Sequence, residues 1–103
     1  MNILTAEKNG ELIVRVTGDI DHHRALGLRE EIDEKMEEIR PSRLLLDLGG
    51  TDFMDSSGLG LILGRLRKAG EMKIPMTLLN PSEAILKLLH LAGLEKTLDI
   101  RYL

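Results

Sequence analysis

The segment Phe53-Met54-Asp55-Ser56-Ser57-Gly58-Leu59-Gly60 sets two hydroxyls and a carboxylate side by side where an apolar stretch gives way to an amphipathic one. If the second stretch is a helix, these side chains stand at its start, where the first backbone N–H groups have no intrahelical partner. Such an end favours negative charge, a phosphate included. A serine there suits one reversible reaction, phosphorylation of its hydroxyl, which adds about −1.5 to −2 charges at a single surface point. The plainer reading of Ser56 is helix capping without regulation, since Ser, Asp and Asn are favoured caps. Asp55 is expected to cap or shape the loop, or to meet a partner. Ser57 is expected to supply hydrogen bonds at the helix end.

Other chemistry is poorly served. His22 and His23 are adjacent, so on a helix they point in different directions, and no second ligand cluster stands near them in sequence; no metal site is expected. Ser56, His22 or His90 and an aspartate could be assembled into a hydrolase triad, but there is no Gly-x-Ser-x-Gly elbow. No Gly-rich lysine loop is present for a nucleotide-hydrolysing site. No cofactor is expected.

The elements that must position Ser56 follow from periodicity. Leu12, Val14 and Val16 alternate with Ile13, Arg15 and Thr17, a strand pattern. The preceding Asn9-Gly10 is a hairpin signal and implies an antiparallel strand over 2–6. Asp21 is a candidate N-cap for a helix over 22–40, with Ala25, Leu28, Ile32, Met36 and Ile39 on one stripe and Pro41 beyond its end. Leu44 to Leu48 is almost continuously apolar, as a strand covered on both faces would be. The helix after Asp55 carries Leu59, Ile62, Leu63 and Leu66 as its buried stripe. Arg65, Arg67 and Lys68 suit its C-terminal dipole, and Gly70 stops it. A strand over 74–79 follows, then a helix capped by Asn80 with Pro81 at its first position and Glu83 three residues after the cap. That helix buries Ile85, Leu88, Leu89 and Ala92. Leu98, Ile100 and Tyr102 alternate in a last strand. Strands alternating with helices predict an α/β domain with a mostly parallel sheet.

Gly60 and Gly64 cost roughly 1 kcal/mol each in a helix relative to Ala. Helical geometry centred on Leu59 puts Gly60 on the flank and turns Leu61, Gly64 and Lys68 outward. The glycines either permit tight packing against a neighbouring element or leave a flat surface that a partner can approach, with Leu61 as an exposed apolar contact.

At 103 residues the chain is one domain, with 43% hydrophobic content for an ordinary core. It has no cysteine, hence no disulfide or thiolate site. The net charge of −3, mixed in sign, and the two aromatic residues Phe53 and Tyr102 argue against nucleic acid as a partner. No apolar run suits a membrane span, and Met1 to Asn9 lacks the features of a secretory signal, so a cytoplasmic protein is expected.

Gly18-Asp19-Ile20-Asp21-His22-His23, followed by the Asp55-Ser56-Ser57-Gly58-Leu59-Gly60 stretch, resembles the bacterial anti-sigma factor antagonists of the STAS domain family, most of all the sigma F subgroup of spore-forming bacteria. The resemblance runs along the whole chain. It implies a single STAS-like domain over 1–103: a mostly parallel mixed sheet with an N-terminal antiparallel strand and three to four helices. It implies that Ser56, the serine directly after the aspartate, is phosphorylated, and not Ser57. The implied partners are an anti-sigma factor that is also a serine kinase, and a serine phosphatase that resets the switch. Asp21, Asp55, Ser57, Gly58, Gly60, Leu61 and Gly64 are the implied surround of the partner interface. The alternatives are an antagonist in a general-stress sigma pathway and a small serine hydrolase.

Overall fold

The computed structural model describes residues 3–103. The chain runs β1 (Ile3–Lys8), β2 (Glu11–Thr17), α1 (His22–Ile39), β3 (Arg43–Gly50), α2 (Ser56–Glu71), β4 (Met76–Leu79), α3 (Glu83–Leu91) and β5 (Asp99–Arg101). The five strands lie in chain order in one sheet. β1 and β2 form an antiparallel hairpin, and each later pair is parallel. The mixed α/β sheet with its N-terminal antiparallel strand is therefore as expected, with three helices. Asn2, the expected first residue of β1, lies outside the described residues.

One face of the sheet carries the core. Leu12, Val14 and Val16 of β2 and Leu44, Leu46 and Leu48 of β3 are fully buried. They share a cluster with Leu28, Ile32 and Met36 of α1, Ile62 of α2, and Ile85 and Leu89 of α3. The expectation that β3 is covered on both faces fails, because its burial alternates along the strand. Arg43, Leu45 and Asp47 lie half-buried on the opposite face. Charge covers that face instead. Arg15 pairs with Asp47 at 3.4 Å, and Arg43 pairs with Glu11 at 3.5 Å. Thr77 donates to Asp99 at 2.7 Å, a bond that holds the exposed Asp99 carboxyl below its ordinary range.

Several element boundaries move. α3 is capped by Ser82, whose side chain accepts from the Ile85 N–H, and not by Asn80. Asn80 instead adopts a left-handed backbone (φ 57°), and its side chain donates to Asp47 and accepts from the Leu103 N–H. Tertiary bonds claim the side chain that local pattern assigns to the cap. β4 starts at Met76 rather than Ile74, and α2 runs past Gly70 to Glu71.

The buried arc of α2 is also rotated and wider than one stripe. Gly58, Leu61, Ile62, Arg65 and Ala69 are buried, Leu59 and Leu66 are half-buried, and Leu63 is exposed. α2 packs on the sheet and on α1 at once, so two faces are covered. Leu61 is thus not an outward contact, at 5% exposure. Arg65 is not a C-terminal dipole partner; it is buried against Asp33 of α1, with Nε 3.0 Å from Oδ1.

Candidate functional site

The Ser56 turn is built by two strands that stay together past their last ladder bond. The register of β2 against β3 shifts between Arg15 and Thr17, and Thr17 lies against Gly50. Gly18, at a φ of 83° that suits glycine, donates its N–H to the Gly50 carbonyl at 2.9 Å. Ile20 then bridges Met54 in parallel. Its N–H meets the Phe53 carbonyl at 3.0 Å, and its carbonyl takes the Asp55 N–H at 3.2 Å. Ile20 and Met54 are both buried, which anchors the bridge.

The residue after each bridge partner is an N-cap. Asp21 caps α1 by accepting the Arg24 N–H at 3.0 Å, and Asp55 caps α2 by accepting the Ser57 N–H at 2.8 Å. The bridge therefore brings two helix N-termini, each with its capping carboxylate, to one surface. Ser57 Oγ lies 3.4 Å from His22 Nδ1, which ties the first turn of α2 to the first turn of α1. Arg24, which no sequence motif singles out, latches the loop: its guanidinium donates to the carbonyls of Asp19 and of Thr17, the latter at 2.8 Å.

Ser56 is the first residue of α2 and is exposed. The N–H groups beyond it are engaged. Ser57 uses the Asp55 carboxylate, while Gly58 and Leu59 donate to the Asp55 carbonyl at 3.0 and 3.4 Å. A charge on Ser56 Oγ would stand beside a carboxylate, not in a vacant nest of donors. The N–H groups of Ser57, Gly58 and Leu59, expected to be free to receive a phosphate, are thus already bonded to Asp55.

The glycines of α2 divide. Gly58 faces inward, and a Cβ on it would lie 2.6 Å from Met54 Cβ. It is a packing residue, not a surface one, which corrects its expected place in the partner surround. Gly60 and Gly64 would present a Cβ to open space. Tight packing within the domain is thereby excluded as their cause. They lie along a groove of about 500 Å³ between α1 and α2, with Leu61 and Arg65 also lining it. Burial pushes the Arg65 guanidinium below the ordinary arginine value, the Asp33 carboxylate opposes that shift, and Arg29 adds to it. Its Nη1 is buried without a hydrogen-bond partner.

Among the described residues the candidate triad members are not brought together. The serine that meets a histidine is Ser57, not Ser56, and among the described residues His22 bonds no carboxylate. His90 lies on α3 and pairs with Glu95. Among the described residues no cluster of three metal-ligating side chains occurs. No helix among them is long and apolar enough to cross a membrane.

Comparison with known proteins matches this geometry. The STAS domain family model aligns with residues 2–102. The chain is 36% identical over 91 residues to the anti-sigma F factor antagonist of Paenibacillus polymyxa, covering 88% of this chain and 78% of that protein. Among solved structures, the anti-sigma factor antagonist SpoIIAA in its unphosphorylated form superposes with a TM-score of 0.80 at 27% identity, over 95% of this chain and 86% of that one. The phosphorylated form of the Bacillus cell fate determinant SpoIIAA superposes with a TM-score of 0.73 at 27% identity, over 95% and 89% of the two chains. These relatives are regulatory proteins, not enzymes. The chain belongs to the STAS domain family and, within it, groups with the anti-sigma factor antagonists.

Proposed function

We propose that this chain is a cytoplasmic anti-anti-sigma factor switched by phosphorylation of Ser56. Unphosphorylated, it binds an anti-sigma factor that is a serine kinase, and the sigma factor is released. The kinase transfers the γ-phosphoryl of ATP to Ser56 Oγ. The hydroxyl proton passes to a base of the kinase, ADP leaves, and the complex dissociates. A serine phosphatase hydrolyses the ester and resets the chain. Asp21, Asp55, Ser57, Gly60 and Gly64 frame the contact surface, with Leu61 beneath it.

The observation that carries this reading is the exposed Ser56 at the first position of α2, directly after the capping Asp55 and at the turn that the Ile20–Met54 bridge joins to the capping Asp21. It agrees with the existence of phosphorylated and unphosphorylated forms of the similar SpoIIAA. The switch acts on the partner more than on this fold. Since Asp55 already uses the first N–H groups, a phosphate gains little from the helix end. Its charge repels the anionic nucleotide held by the kinase and disrupts a desolvated contact.

Binding of a cognate anti-sigma kinase to the wild type, Ser56→Ala and Ser56→Asp tests this. Wild type and Ser56→Ala should bind, and Ser56→Asp should bind weakly. Equal affinity of all three would remove Ser56 from the interface. Ester hydrolysis by the chain with no phosphate uptake would favour an enzyme instead.

A further inference from the structure

The groove between α1 and α2 has no task in the fold. Gly60 and Gly64 keep it open although neither faces a neighbour within contact distance. Two glycines one turn apart within a helix are unfavourable for it. An occupant from outside the chain explains their cost, where internal packing does not.

The lining states the occupant's chemistry. Arg29, Arg65, Arg67 and Lys68 line the groove against the single carboxylate of Glu71, on a chain whose net charge is −3. Lys68 is held by Glu37 at 2.6 Å, and Asp33 sits between Arg65 and Arg29 at 3.0 and 3.9 Å. Arg67 has no carboxylate partner among the described residues and is exposed. Arg65 is 5% exposed, and its Nη1 lacks any hydrogen bond. A buried guanidinium with an unused donor is costly unless an acceptor arrives. These pairings leave Arg67 as the lining cation without a carboxylate partner among the described residues, with Leu26 as an exposed apolar residue in the same lining.

Its position points to a protein occupant. Gly60 lies one helical turn past Ser56, and the lining continues to Glu71, about 16 Å along α2. A kinase that covers Ser56 already lies over the near end. We infer that the α1/α2 groove seats an acidic segment of the anti-sigma kinase, whose carboxylates meet Arg65 and Arg67 over the backbone of Gly60 and Gly64. This rests on the kinase reading above and adds the chemistry of the partner's second contact. The two contacts differ in sign: two capping aspartates stand at the Ser56 turn, and Arg67, unpaired among the described residues, stands at the groove. A partner fitting both must present basic and acidic patches in one order, which fixes its orientation.

Titration of the full-length chain with the kinase, using Gly64→Phe, Arg67→Glu and Gly27→Phe, tests the inference. Gly27 also has open space at its Cβ but does not line the groove, so its variant is the control. Gly64→Phe should weaken kinase binding roughly tenfold or more, as loss of a central contact does. Arg67→Glu should weaken it and flatten its salt dependence. Gly27→Phe should bind like wild type. If Gly64→Phe fails to fold, Gly64→Ala and Arg67→Glu carry the same test. Wild type that binds no kinase overturns the proposed function itself. Wild type that binds, with groove variants unchanged, overturns this inference alone. Groove variants that alter only self-association would make the groove a contact between copies. Inorganic phosphate shifting the Gly64 and Arg65 amide signals at low millimolar concentration, with kinase binding unchanged in the groove variants, would make it a small-anion site. Either result overturns the inference.

Discussion

The first turn of α2 and the turns that follow use the same residue for opposite ends. At Gly58 a Cβ would overlap Met54, the buried residue that bridges β2's extension at Ile20. Glycine there is demanded by the interior, because it lets the helix start close under the strand end and so sets the Ser56 turn. At Gly60 and Gly64 a Cβ would meet nothing. Glycine there is not demanded by the fold at all. The comparison separates residues that build the switch from residues that keep space for what the switch meets. Beside Gly64, the Arg65–Asp33 pair joins α2 to α1 at the groove.

The largest test of this division is Asp33→Ala. It leaves the Arg65 guanidinium buried without its counter-charge, and breaking a buried pair in this way costs about 3–5 kcal/mol. The part-exposed Asp33 places the expected loss near the low end. Chemical denaturation against wild type reads it, and an unchanged midpoint would mean that solvent already compensates Arg65. Gly58→Ala comes next. Overpacking against Met54 should destabilise the domain by about 1–3 kcal/mol. The same denaturation series measures it, and a gain in stability would show that Met54 moves aside freely.

Gly64→Ala should have the reverse sign. With open space for the methyl group, the helix should gain roughly 0.5–1 kcal/mol, seen as a raised melting temperature. A loss would mean that this glycine is structural, and the comparison with Gly58 would collapse. The smallest effect is on acid stability. Lys68 holds the exposed Glu37 carboxyl below its ordinary range, first through a hydrogen bond and then through charge. A lowered folded-state value adds stability that is present above the ordinary carboxylate range and is lost as pH falls through the lowered one. Glu37→Gln should therefore melt slightly below wild type at neutral pH and coincide with it in strong acid. A difference that persists in acid would assign the effect to packing.

Much of the fold was legible because the core is built from local periodicity. Alternation gave away β2, and the Asp21 and Asp55 caps were readable from their places before amphipathic runs. The misses share a cause. Asn80 had cap chemistry, but its amide is used by Asp47 and Leu103, partners far away in sequence. One stripe centred on Leu59 turns Leu61 outward and leaves Arg65 to the C-terminal dipole, whereas α2 has both a sheet and a neighbouring helix to cover. The Asp55 cap and the helix start at Ser56 were marked by type and spacing. The Arg24 latch and the arginine-lined groove were not, because arginines spread over two helices carry no local pattern until the helices pack.

The most direct measurement is phosphopeptide mapping of the chain after incubation with a cognate anti-sigma kinase and Mg-ATP. The account predicts one principal phosphate, on Ser56, and dissociation of the complex once it is added. Phosphate mainly on Ser57, or none with a kinase that binds the chain, would contradict it.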